Sequence, residues 1–176
     1  WNVMLDPKAI VCLLRSELPI AIYPCATKDG PFSYGRHNSF WLLPDLNFIE
    51  QMDPRLQSYL CFAFMRSSRS DFLRAMDEVP TADVLKQVCT RRHNVWETAV
   101  WAQAANRRIV LRADGSYKLV PAAKIRKDDK ILPNELRPCR IKVDDKGLFT
   151  FNLTKERTNF LIYDRAEPYE NEKALR

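Results

Sequence analysis

The chain has 176 residues, 46% of them hydrophobic, with a formal net charge of +6. That length and apolar share suffice for one sizeable core, and no apolar run reaches the roughly 20 residues a membrane-crossing helix needs. The five cysteines, Cys12, Cys25, Cys61, Cys89 and Cys139, are odd in number, scattered and free of any CxxC pair. They argue against a disulfide framework or a zinc site and for reduced thiols in a cytoplasmic setting.

In chain order, Trp1 to Leu5 reads as an extended entry. Asp6 is a good N-cap, Pro7 suits the first helical position, and Ile10, Val11, Leu13 and Leu14 follow at helical spacing. Leu18 to Tyr23 is a short apolar run of strand length. Extended segment, helix and strand make a βαβ unit, whose parallel strands need a right-handed crossover and gather ligands at their carboxyl ends. Because Trp1 already sits in an apolar pattern, earlier strands of the same domain are expected upstream. The long loop from Cys25 to Asn38 carries Tyr34, Arg36 and His37 around Gly35. It reads either as a surface connection or as a substrate-facing lid in which Arg36 and His37 reach hydroxyls or a base edge.

After Pro44 the pattern turns helical: Asp45 to Met52, a longer helix opened by Asp53-Pro54, then Asp71 to Met76, and Thr81 to Val88. Tyr59, Phe62 and Phe64 are expected in the core. A helix from Val95 to Ala105 follows, with Asn94 as an ordinary N-cap and His93 either a hydrogen-bonded structural group or a proton donor. Arg108 to Arg112 and Tyr117 to Val120 flank Asp114-Gly115, a hairpin signal. Cys139 to Val143 and Leu148 to Leu153 alternate on either side of a turn, and Asn159 to Tyr163 adds a strand. The basic run Lys124 to Lys130 contains two aspartates and no interleaved aromatic platform, so it reads as a solvated loop and no nucleic-acid partner is expected.

Two landmarks carry a resemblance. Trp1-Asn2-x-x-x-Asp6-Pro7-x-Ala9, followed by a helix and Leu18-Pro19-Ile20, resembles the central segment of the inosine-uridine preferring nucleoside hydrolases. Arg92-His93-Asn94-Val-Trp-Glu-Thr-Ala99 lies where that family has a His-Asp dipeptide opening a late helix. The resemblance spans most of the chain and the later part of the family's domain. It implies an α/β fold with a partial, open, mostly parallel sheet of Rossmann-like type, a helical block and a small C-terminal antiparallel β excursion, covering residues 1–165. Residues 166–176 are expected to be a polar, frayed tail.

The resemblance also implies an activity: hydrolysis of the N-glycosidic bond of a ribonucleoside to free base and ribose. His93 matches the histidine that protonates the leaving base, Asn2 the ribose-binding asparagine, and Trp1 an aromatic beside the sugar and base. The family holds calcium with an aspartate at the position of Asn94 and with an upstream aspartate-rich motif that this sequence does not contain. An Asn carbonyl can ligate calcium but brings no charge. A diverged relative that binds nucleosides or sugars without turnover is the alternative, and a basic nucleic-acid interaction module a further one. A homo-oligomer is compatible with either of the first two, and no membrane partner is expected.

Overall fold

Two aspartate–proline pairs start helices as their chemistry dictates. The Asp6 carboxylate accepts the backbone N–H of Ala9 at 3.0 Å, and Asp53 that of Arg55 at 2.9 Å, each occupying a donor the helix cannot satisfy internally. The computed structural model describes residues 2–25, 35–65, 71–165 and 167–175. Its elements are α1 (Asn2–Leu5), α2 (Pro7–Leu14), β1 (Ile20–Ile22), β2 (Trp41–Leu43), α3 (Pro54–Phe64), α4 (Phe72–Ala75), α5 (Ala82–Cys89), β3 (His93–Val95) and α6 (Thr98–Ala104), followed by β4 (Arg107–Leu111), β5 (Tyr117–Pro121), β6 (Lys130–Ile131), β7 (Asn134–Val143), β8 (Phe149–Leu153), β9 (Phe160–Arg165) and α7 (Pro168–Glu172). The fold is mixed α/β, and its sheets contain both parallel and antiparallel strands.

The chain divides into two compact units, one from the stretches up to Trp41 and from Trp96 on, the other Leu42–Val95. The first holds a four-stranded sheet in the order β1-β9-β7-β8. There β1 runs parallel to β9, with Ile20 opposite Phe160 and Ile22 opposite Ile162, while β7 pairs antiparallel with both β9 and β8. Leu14 and Ile10 of α2 pack against Ile162, Phe160, Cys139 and the aromatic residues of β8. Each large apolar side chain fully buried there contributes about 1.5–3 kcal/mol. A three-stranded antiparallel sheet, β5-β4-β6, buries Ile109 and Leu132 with Trp41. Its hairpin turns at Gly115, and the β7–β8 hairpin at Gly147. Both glycines have positive φ, which Gly adopts without a Cβ clash.

The second unit packs α3, α5 and a 3₁₀ turn at Asn47–Gln51 around Leu46, Ile49, Cys61, Val88 and Cys89. Thr81 caps α5 as expected, accepting from Val84 N. Phe64 joins this core, but Tyr59 stands exposed.

Several expectations are corrected. The opening stretch forms the single helical turn α1 rather than a strand; a short apolar run fits either state, and periodicity cannot arbitrate between them. The parallel partner of β1 is therefore β9 and not a strand of a local βαβ unit. Asn159 sets that register by donating through its amide to the carbonyls of Ser16 and Leu18, both at 3.0 Å. Within the four- and three-stranded sheets only β1–β9 is parallel. The C-terminal strands are no peripheral excursion, since they supply three of the four strands of the largest sheet. The described residues of the expected tail, 167–175, are docked rather than frayed: Asn171 is buried and exchanges hydrogen bonds with Asn134, while Ala174 and Leu175 pack against the Trp41 cluster.

Candidate functional site

The carboxyl ends of β1 and β9 carry a charged cluster. Past β1 the chain returns so that Ser39 N donates to Pro24 O at 2.7 Å, and the carbonyl of Arg36 accepts from Arg165 N, the last residue of β9, at 3.1 Å. Residues 26–34 of the expected lid, Tyr34 among them, lie outside the described residues; Arg165 holds residues 35–40. Its buried guanidinium donates to the carbonyls of Gly35 and Phe40 at 3.0–3.1 Å. The side chain of Asn38, buried beneath the same turn, accepts from Gly35 N at 2.7 Å.

This scaffold brings Arg36 and His37 to Asp164. Arg36 grips both carboxylate oxygens, through Nε on Oδ1 and through Nη2 on Oδ2, the latter at 2.8 Å. Arg137 of β7 donates from Nη1 to Oδ2 at 3.0 Å. The Asp164 side chain is only 4% exposed, against 50% for Arg36 and 36% for Arg137. Burial by itself pushes the carboxyl's pKa up, but the hydrogen bonds of Arg36 and Arg137 and the nearby charge overcome it and hold the value below the ordinary one. Arg36 is reciprocally raised, first by its hydrogen bond to Asp164.

His37 sits beside the pair. Its Nδ1 lies 3.0 Å from the Tyr163 carbonyl and 3.8 Å from Asp164 Oδ1, and its ring meets Phe151 edge-on at 4.9 Å. On the same strand Tyr163 is buried, stacks on Tyr23 and donates to Asn134 Oδ1 at 2.6 Å. Burial pushes its phenol up to about 12, so it stays protonated.

His93 and Asn94 lie side by side on β3, in the Leu42–Val95 unit. The expected helix start is not there. The chain passes through Glu97 in the left-handed region (φ 55°) before α6 begins at Thr98, so Asn94 caps no helix. The His93 ring packs on Phe64 at 4.7 Å, and Arg91 lies over the same ring and donates to the Phe64 carbonyl. Burial, and then the Arg91 charge, lowers the His93 pKa, leaving a neutral imidazole at neutral pH. Asn2 falls in α1. Trp1 lies outside the described residues.

Asp164, Arg137 and Arg165 were not anticipated from the sequence. A signal for them exists: the apolar run Phe160-Leu-Ile-Tyr163 ends in Asp164-Arg165, charged residues at the carboxyl end of a strand. Among the described residues no group of three or more His, Cys, Asp or Glu is placed to hold a metal ion. Asn94 offers one neutral oxygen, so these residues do not by themselves fit a calcium site. Among the same residues no helix is long and apolar enough to cross a membrane. No family model, curated protein or solved structure matches the chain.

Proposed function

We propose that the chain belongs to a ribonucleoside-processing protein of the nucleoside hydrolase type, breaking the N-glycosidic bond to release base and ribose. The observation that supports this reading is the polar cluster of Arg36, His37 and Asp164 at the carboxyl ends of the parallel strands β1 and β9, where open α/β sheets take their ligands. In the reaction the bond from C1′ to the base nitrogen breaks through an oxocarbenium-like ribose, the electron pair leaves with the base, and water supplies the new oxygen. By the resemblance alone, Asn2 matches the family's ribose-binding asparagine and His93 the histidine that protonates the leaving base. Calcium belongs to the proposal only with ligands beyond those described, and no step is assigned to it.

A second reading, nucleoside or sugar binding without turnover, is favoured by two observations. His93 is held neutral by burial and by Arg91, which makes it a poor proton donor at neutral pH. Asn94 lacks the charge of a calcium-binding aspartate.

Release of free ribose from inosine and uridine by the full-length protein, with and without calcium, separates the two readings. Hydrolysis predicts calcium-dependent release that falls in His93→Ala and rises in Asn94→Asp. Binding alone predicts saturable nucleoside binding with no ribose released by any of the three proteins.

A further inference from the structure

We infer that the cavity between Trp41, Gln103 and Tyr163 is a site for one small monovalent anion, held by the indole N–H of Trp41 and by the charges of Arg107 and Arg108. The cavity has a volume of about 10 Å³, room for one water-sized species, and its polar lining is Trp41, Gln103, Arg107, Arg108, Asn134 and Tyr163. All six belong to the first of the two units. Trp41 is 1% exposed, and its Nε1 has no hydrogen-bond partner among the described residues. The indole N–H faces the Tyr163 hydroxyl closely enough to favour its ionised form, without hydrogen-bonding to it. A buried, unpaired donor is costly, so the site favours a species that accepts from it. The neighbouring amide oxygens are already engaged: Asn134 Oδ1 accepts from the Tyr163 hydroxyl and from Asn171 Nδ2, and Gln103 Oε1 accepts from the Tyr23 hydroxyl.

The charge around the cavity is positive. Two guanidiniums line it and no carboxylate does. Arg107 Nη1 donates to the Leu119 carbonyl at 3.3 Å and Arg108 Nη1 to the Arg107 carbonyl at 3.0 Å, neutral acceptors that cancel neither charge. The nearest carboxylates along the lining strands are Asp164, paired with Arg36 and Arg137, and Glu135, paired with Arg137. Buried Arg165 acts on the Tyr163 phenol more strongly than Asp164 does, so the third guanidinium adds to the positive side. A bound water would have to donate as well as accept, whereas an anion only accepts, which matches an unspent donor in a positive field. The volume admits a halide or a single carboxylate oxygen, and it excludes tetrahedral phosphate and sulfate.

The indole ¹H–¹⁵N signal of Trp41 in the full-length protein, assigned through its contacts with Ile109 and Leu132, tests this. Sodium chloride and sodium formate are titrated separately, with ionic strength held constant by sodium sulfate. The expected result is a saturable shift of the Trp41 signal with chloride, with formate or with both, and none with sulfate alone. A shift with chloride only identifies a halide site, and a shift with formate, displaced by chloride, a carboxylate site. Replacing both arginines, Arg107→Gln with Arg108→Gln, should weaken the apparent affinity about fivefold, and Arg107→Lys with Arg108→Lys, which keeps the charges, should recover most of it. Absence of a saturable shift with either anion, the behaviour of a cavity holding one water, overturns the inference. So does a saturable shift that the folded double-glutamine protein shows at unchanged affinity. The nucleoside reading stands or falls separately, on ribose release and nucleoside binding.

Discussion

Arg36 reaches Asp164 from 128 positions away in the chain and engages both oxygens of its carboxylate, while Arg137, 27 positions away, takes a second site on Oδ2. Three separate segments, the loop after β1, β7 and β9, are therefore joined at one buried charge. Breaking such a junction leaves donors and a charge poorly compensated, and this makes it a stability element as well as part of the candidate site.

The junction carries an acid dependence. The folded carboxyl titrates below its ordinary value, so the unfolded chain binds more protons in that range and the stabilisation is complete above an unfolded aspartate pKa of about 3.9. It is lost as pH falls through the lower folded value. Urea unfolding followed from neutral pH into the acid range should show this limb. Asp164→Asn should lower stability at neutral pH by about 1–3 kcal/mol and flatten the limb. An unaltered acid limb in that variant would assign it to other groups.

His93 behaves in the opposite chemical sense. Its folded pKa is lowered, so the unfolded chain again binds more protons between that value and about 6.5, and acidification through this window destabilises the protein. An NMR titration should place His93 below the ordinary histidine value. Arg91→Ala should move it upward, though not fully, because burial is the larger cause. A titration midpoint insensitive to Arg91 would remove that charge from the account.

The C-terminal helix is held by amides rather than by grease alone. Asn134 and Asn171 exchange hydrogen bonds at 2.7 and 3.0 Å, and Tyr163 adds a third to Asn134 Oδ1. Asn171→Ala removes both of those hydrogen bonds from half-buried Asn134, which keeps Tyr163 and the Leu132 carbonyl as partners, and should cost about 1–2 kcal/mol. Amide hydrogen exchange should speed up over residues 168–175 before anywhere else. Uniform protection in the variant would mean that the Ala174 and Leu175 contacts suffice.

Thiol accessibility separates the cysteines. Cys12 and Cys25 are exposed, whereas Cys61, Cys89 and Cys139 are buried, and burial pushes those three thiols up. Because the thiolate is the reacting form, native protein at mildly alkaline pH should take two alkyl groups and denatured protein five. Rapid labelling of Cys61 or Cys89 in native protein would show that the Leu46–Val88 core opens.

Much of the local structure was legible in the residues. Asp6-Pro7, Asp53-Pro54 and Thr81 start helices where their capping chemistry requires, and the Asp114-Gly115 hairpin forms with Ile109 opposite Leu119. Of the candidate site, Arg36 and His37 were legible as polar residues on a loop leaving a strand, but their anchor was not. Asp164 lies beyond the end of the apolar run that marks its strand, and nothing in the spacing ties it to Arg36. His93 and Asn94 were expected at a helix start and lie on a strand. Asn94 has the chemistry of a cap, but β3 pairs with β2, and the helix waits until after Glu97.

What the sequence determined by itself is local: caps, turns, hairpin alternation and the apolar face of α2, because these depend on neighbours within a few residues. Only the tertiary structure decided that β1 lies beside β9, that the C-terminal strands form most of the largest sheet, and that Arg36 and His37 converge on Asp164. The first and last of those relations depend on backbone pairing and charge neutralisation between segments more than a hundred residues apart, as in the 128-residue separation of Arg36 and Asp164. Sequence periodicity carries no information about such partners, since every apolar strand offers the same unpaired edge until another segment covers it.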